Sequence, residues 1–306
     1  MNDYVVGIGA ANVDIYCKSN IDIREHFDHP AKISYSPGGV TRNILENLVK
    51  LDVKCKMLTA VGDDLYGKYL KDKINEVGID ADNILMVKGG STGTFVQVQD
   101  KNNDMHLAMC DMDILKHIDV EYIKRNKELI ENALLIIIDP SLNEEVLDYL
   151  FDNFNVPFFV DPISDIYAKK IKKYLSKIYC IKPNKRELGI LTDVVINNEE
   201  DLYLAYEKLL EQGVKKAYVS LGKDGCLYKD KKIKTKKFKQ VNMLNASGAG
   251  DSFFAAIVYA YVLGLNIDDT INSALAAGLV TVMCNEAINK DLSRELLERI
   301  IKENGL

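Results

Sequence analysis

The sequence runs to 306 residues, 47% hydrophobic and 27% charged, with 19 glycines and only 6 prolines. That composition excludes collagen-like and disordered classes, and a chain of this length buries a sufficient core without disulfide staples. The net charge of -6 argues against the basic footprint of a nucleic-acid-binding surface, and no apolar run reaches the roughly 18 residues that span a bilayer.

The start, "MNDYVVGIGA", lacks a basic region followed by a long apolar segment, so it does not read as a signal peptide. Short apolar, β-rich runs at 4–10, 54–61, 133–139, 156–161, 178–183 and 216–221 alternate with segments of helical period at 41–51, 64–78, 142–154 and 200–213. Strands apolar on both faces and separated by helices predict an α/β fold with a mainly parallel central sheet flanked by helices on both faces. Two segments break the pattern. Residues 13–19 with 31–36, and 92–100 with 105–109, alternate in polarity and predict antiparallel hairpins, forming a small β lid laid over a site. The basic run Lys229–Lys239 reads as a further hairpin with solvated lysines. After it, 248–264, 267–284 and 292–303 predict three closing helices. The expectation is one domain over residues 1–306, with lid strands from about 12–36 and 91–111.

The six cysteines are scattered without a CxxC, and most sit in apolar runs. Free buried thiols and a reducing, cytoplasmic location are expected. The four histidines show no ligand spacing, which argues against a zinc site.

Polar residues gather where the apolar runs stop. Asn12 and Asp14 are two apart on an extended segment and point to one face. They suit diol hydroxyls, because a carboxylate accepts and an amide both donates and accepts; a turn with local hydrogen bonds explains them equally. In "SPGGVTRNILENL", Gly38 and Gly39 precede a helix with Arg42 and Asn43 in its first turns. Close approach to a small polar ligand and a plain strand-to-helix turn both stand. In "KPNKREL", Asn184 and Glu187 are spaced for a capping box, or for organising Mg2+ and its water around a phosphate. "SLGKDG" offers Ser220, Gly222 and Gly225 to a nucleotide or forms a hairpin turn.

The stretch "NASGAGDSFF" places Gly248, Ala249 and Gly250 at the head of an apolar helix, with Asp251 in its first turn. Free N–H groups and the positive end of the helix dipole favour a phosphate there. Alternatively, the aspartate only complements the dipole and the glycines only pack closely. There is no GxxxxGK[ST] loop, and "GIGAAN" lacks the third glycine and the following helix of a dinucleotide site.

Taken in order, "GAANVDI", "PGGVTRN", "VGDDLYG", "VDP", "KPNKRE", "SLGKDG" and "ASGAGDSFFAA" resemble the ribokinase-like (PfkB) carbohydrate and nucleoside kinases across essentially the whole chain, the last motif being the most specific. "PGGVTRNILENLVKLD", "MCDMDILKHI", "VDPIS" and "NKDLS" are similar to the pseudouridine kinases of that family. The resemblance implies ATP-dependent phosphorylation of the 5′-hydroxyl of pseudouridine, with another sugar or nucleoside kinase, of ribokinase or adenosine kinase type, as the alternative and a non-catalytic sugar-binding regulator as a remote one. It implies Asp251 as catalytic base, with Gly248, Ala249 and Gly250 as the anion hole. Asn12, Asp14, Gly38, Gly39 and Asn43 would hold the ribose, with Asp111 a further substrate contact leaving the lid. Asn184 and Glu187 would serve phosphate and Mg2+, and Ser220, Gly222 and Gly225 the ATP. Some members also bind a monovalent cation. Asn245, Ala246 and Ser247 replace the family's usual Asp-Thr-Thr, which weakens inference about nucleotide or cation contacts at that loop. A four-strand lid exposes edges and one apolar face; with the resemblance, this predicts a homodimer through the lid and no nucleic-acid or membrane partner.

Overall fold

A computed structural model describes residues 3–102, 104–229, 233–236, 247–284 and 286–305. In chain order, β1 (Tyr4–Ile8) leads into β2 (Asn12–Ser19), β3 (Ala31–Gly38) and α1 (Val40–Lys50). Then come β4 (Lys54–Leu58), β5 (Ala60–Gly62), α2 (Leu65–Glu76), β6 (Leu85–Val87), β7 (Thr94–Gln99) and β8 (Met105–Asp111). Two short helices, α3 (Val120–Arg125) and α4 (Lys127–Glu131), precede β9 (Ile136–Ile138), α5 (Glu144–Asn153), β10 (Phe158–Val160) and α6 (Asp165–Ile171). The chain continues through β11 (Cys180–Ile181), α7 (Lys185–Thr192), α8 (Glu199–Glu211), β12 (Lys216–Ala217), β13 (Val219–Ser220), β14 (Cys226–Lys229) and β15 (Ile233–Lys236). It closes with α9 (Ala249–Val262), α10 (Ile267–Val282) and α11 (Arg294–Asn304). Of the basic run, residues 230–232 and 237–239 lie outside the described residues, as do Asn245 and Ala246.

Six strands form one sheet in the order β12-β11-β10-β9-β1-β4, and every pairing in it is parallel. Alternate residues of each strand serve opposite faces. Val5, Ile137, Phe159 and Cys180 join one core with α1, α9 and α10, while Val6, Ile136, Ile138, Val160 and Ile181 join a second with α5, α7 and α8. This is why the strands are apolar throughout rather than alternating. The strand order reverses at β1, whose neighbours are β4 and β9. In open α/β sheets, ligands bind outside the carboxyl ends of the strands at such a reversal.

The two sequence-expected hairpins are present as β2–β3 and β7–β8, both antiparallel. They join through a parallel β2–β7 ladder into one four-stranded sheet, ordered β3-β2-β7-β8. Cys55, Cys180 and Cys226 are free and buried as expected, whereas Cys110 is free but exposed, because it lies on β8 at the edge of this small sheet. Among the described residues no helix is long and apolar enough to cross a membrane.

Candidate active site

Asn12 opens β2 just beyond the end of β1, and its Nδ2 donates to Asp14 Oδ1 at 2.7 Å. The Tyr16 hydroxyl donates to the other oxygen of Asp14 at 3.3 Å, and burial raises the Asp14 pKa above its ordinary value. A Cβ on Gly38 would lie 2.3 Å from Asp14 Oδ1, so the bare backbone opposite leaves room for the carboxylate. Gly39 adopts φ 100, a left-handed conformation that suits glycine, and a Cβ there would lie 2.4 Å from the Ala10 carbonyl oxygen. These two glycines let α1 start directly beside β2, which delivers Arg42 and Asn43 to the same end of the sheet.

Helix α9 begins after Gly248, its left-handed N-cap at φ 76. The N–H groups of its first turn have no carbonyl one turn back within the helix and form the kind of end that favours an anion. A Cβ on Gly248 would come within 1.8 Å of the Ala287 carbonyl oxygen, so this glycine also satisfies a packing demand. Asp251 sits half-buried in the first turn, and its Oδ2 accepts from Asn43 Nδ2 at 2.9 Å. Burial, with the charge of Asp161 next and Asp14 adding, pushes the Asp251 pKa up to about 7 against the opposing Asn43 bond and Lys182.

Asp161 and Lys182 were not singled out from the sequence. They follow β10 and β11 directly and form a buried ion pair at 2.9 Å, with side chains 7% and 8% exposed. Burial alone would lower the Lys182 pKa, but Asp161, Glu187 and Asp251 raise it, so the ammonium remains charged between the helix head and the Asn184 turn. A Cβ on Gly250 would lie 3.1 Å from Lys182 Nζ, which places this cation against the loop where an anion would bind. The available signal was a charged residue immediately after each of two apolar strands, in "FFVD" and "YCIK", at the carboxyl ends of the strands where ligands gather.

Asn184 caps α7, and both halves of the capping box form: Asn184 Oδ1 accepts from the Glu187 N–H at 2.9 Å, and Glu187 Oε2 accepts from the Asn184 N–H at 2.8 Å. The structural reading of this motif is therefore realised. It engages Oε2 and leaves Oε1 outside the box. Burial, together with Asp161 and Asp165, raises the Glu187 pKa, an electrostatic field that a divalent cation would relieve. Among the described residues no group of three or more His, Cys, Asp or Glu forms a protein-only metal cage. Mg2+ characteristically takes one or two protein groups and completes its shell with water and phosphate, and Glu187 with Asn184 fits that pattern.

Ser220 bridges Asn184 in parallel and ends β13, which turns through Gly222 and Gly225 into β14. Gly222 has φ 59 with open space where a Cβ would stand, and Gly225 has φ 88. The turn is a hairpin, and its exposed backbone lies beside the Asn184 cap. Asp111 ends β8 near Asn12, both bordering Gly93. Its Oδ1 caps the following turn by accepting from the Asp113 N–H at 3.1 Å, and its ladder row contains Thr94 and Val13 rather than Asp14.

The structure thus brings Asn43 and Asp251 into contact, sets Asp14 within their electrostatic field, and adds Arg42, Asp161 and Lys182 to the group. A family model described as pfkB family carbohydrate kinase matches residues 2–294. The chain is 34% identical over 300 residues to the pseudouridine kinase of Escherichia coli strain K12, covering 95% of this chain and 94% of that one. It is 23% identical to the guanosine-inosine kinase of Exiguobacterium acetylicum over 92% of this chain and 98% of the other. In fold it is similar to the ribokinase of Arabidopsis thaliana solved with ribose and ATP, at a TM-score of 0.81 and 23% identity over 99% of each chain.

Proposed function

The chain belongs to the PfkB family of carbohydrate kinases, and from that membership we propose that it phosphorylates the 5′-hydroxyl of pseudouridine with ATP. The observation that carries the chemistry is the Asp251 carboxylate, held by Asn43 at 2.9 Å beside the free N–H groups at the head of α9. The acceptor choice is supported by the 34% identity to a pseudouridine kinase along nearly the full length of both chains.

Asn12, Asp14 and Asn43, with Gly38 and Gly39 clearing space, hold the ribose hydroxyls and set the 5′-oxygen against Asp251. The oxygen attacks the γ-phosphorus, the new O–P bond forms, the bond to the β,γ-bridging oxygen breaks, and ADP leaves. Asp251 takes the hydroxyl proton as the oxygen becomes a phosphoester; a pKa pushed up to about 7 matches it to that task. The N–H groups of Ala249 and Gly250, with Lys182 behind them, stabilise charge on the moving group, each such donor being worth about 3–4 kcal/mol. Transfer of this kind relies on alignment and charge rather than covalent catalysis. Ser220, Gly222 and Gly225 line the ATP side. Asn184 and Glu187 hold Mg2+, which when bound neutralises the nucleotide phosphates. A monovalent cation completes the proposed set; equal turnover in potassium and tetramethylammonium salts would remove it.

The four-stranded sheet acts as a lid that excludes water, a competing acceptor. One of its faces carries Ile33 and Tyr35, Ile15 and Cys17, Val96 and Val98, and Leu107 and Met109 in register. Ile33 and Met109 are 67% and 64% exposed. Pairing of two such faces in a homodimer buries them. Light scattering should give twice the chain mass and a monomer for Met109→Glu; a monomeric wild type would refute the pairing.

The reaction is tested by coupled ADP release across pseudouridine, uridine, adenosine, ribose and fructose 6-phosphate. Pseudouridine should give the highest kcat/KM by at least tenfold. Pseudouridine performing no better than ribose would overturn the acceptor assignment while leaving the kinase chemistry in place.

A further inference from the structure

Behind the carboxylate assigned as proton acceptor lies a chain of buried groups whose donors and acceptors run in one direction. Glu46, Arg42 and Asn43 are 8%, 4% and 7% exposed on α1. Arg42 Nη2 is paired with Glu46 Oε2 one helical turn on. Arg42 Nη1 donates to the Pro37 carbonyl at 3.2 Å and to Asn43 Oδ1 at 3.0 Å. Asn43 Nδ2 then donates to Asp251 Oδ2 at 2.9 Å. An amide can turn end for end, but a guanidinium can only donate. With Arg42 at its oxygen, Asn43 must present its nitrogen to Asp251. Asn47 secures the same residue from the next turn by donating to the Asn43 carbonyl at 2.8 Å.

We propose that the Glu46–Arg42 ion pair is a positioning device, which fixes the Asn43 amide so that one oxygen of Asp251 is held and the other is left for the acceptor hydroxyl. This rests on the reading of Asp251 as the base and adds residues that touch neither substrate nor nucleotide in that reading. A stabilising role alone would not require it. Buried ion pairs can often be replaced by apolar groups at little cost, whereas an amide wedged between a cation and an anion has only one orientation in which both contacts are favourable. The other charged groups facing Asp251 come from different elements: Asp161 after β10, Lys182 after β11 and Asp14 on β2. None of them donates to or accepts from the Asn43 amide among the hydrogen bonds described.

The test is the double variant Arg42→Met with Glu46→Met in the full chain, with Arg42→Lys as the conservative control. Freed of its fixed orientation, the amide no longer holds the carboxylate. kcat should fall about ten- to hundredfold, as for a small misplacement of a reacting group, and by more than KM rises through the loosened Asn43 contact to the ribose. The Asp251 carboxyl, followed by 13C titration against an Asp251→Asn spectrum, should also titrate at higher pH than in the wild type, because a donor to the ionised form is lost. Arg42→Lys, which still donates, should recover most of kcat. An unchanged kcat and titration midpoint would overturn the proposal. So would a raised KM at unchanged kcat, which would make the pair a substrate contact. If the double variant does not fold, Arg42→Leu with Glu46→Leu, which likewise removes the donor, carries the same readouts. The titration requires no acceptor, so it decides this point even if pseudouridine is not turned over.

Discussion

Replacing Asp251 with asparagine separates the residue's cost to the fold from its service to the chemistry. In the folded protein its pKa is raised from 3.8 to about 7, by burial first and then by the charge of Asp161. At about 1.36 kcal/mol per pKa unit, the ionised folded state is penalised by about 4 kcal/mol. Solvent screening in a half-buried site brings the expected effect to about 2–4 kcal/mol. Because the folded pKa lies above the unfolded one, the folded state binds the proton more tightly. This group therefore leaves the wild type unpenalised below about pH 4, destabilises it progressively between pH 4 and 7, and exerts its full penalty above pH 7. Asparagine keeps the shape and can still accept from Asn43, but it never ionises. The variant should match the wild type near pH 4 and exceed it by about 2–4 kcal/mol at pH 8. Urea unfolding at pH 4, 6 and 8, with equal m values confirming a like comparison, measures this directly. A gain of the same size at every pH, or none at pH 8, would refute the assigned charge environment.

Three further outcomes follow from the same geometry. With Asp251 as the proposed base, the ionised carboxylate is the active form, so kcat/KM, which reports the free enzyme, should rise through about pH 7 and then level off; a rate flat from pH 5 to 8 would contradict the assignment. Gly248→Ala places a methyl group in a left-handed conformation, costing about 1–2 kcal/mol, and against the Ala287 carbonyl. Its melting temperature and kcat should therefore fall together, and a neutral result would mean that the loop is not held there. Lys182→Met leaves Asp161 buried without its cation and should destabilise by about 3–5 kcal/mol in denaturant titrations, whereas a loss below 1 kcal/mol would show that the pair is not desolvated.

The sheet was legible because each core strand is an apolar run with no polar alternation, and residues such as Val5 and Val6 serve opposite cores. Both small hairpins were legible from period-two alternation, but their joining through β2 and β7 was not. Nothing local specifies a parallel ladder between segments separated by the whole of β3 to β6. The short helices α3, α4 and α6 were missed because five to seven residues give too few turns for a helical period to emerge. In the site, Asp251 and Asn43 were visible through their glycine-rich surroundings, although their contact spans 208 residues. Asp161, Lys182 and the Arg42–Glu46 pair escaped because a charge after an apolar run reads as the end of the strand, and the partner that makes it meaningful is distant or one helical turn away. The Asn184–Glu187 spacing was legible as a capping box, and that structural role is the one the fold realises.

A crystal of the protein with pseudouridine, Mg2+ and a non-hydrolysable ATP analogue examines the central claim directly. The 5′-oxygen should lie within about 2.6–3.2 Å of an Asp251 oxygen, with the terminal phosphate against the N–H groups of Ala249 and Gly250. A nucleoside bound with its 5′-oxygen turned away from Asp251, or a terminal phosphate seated elsewhere than the head of α9, would contradict the account.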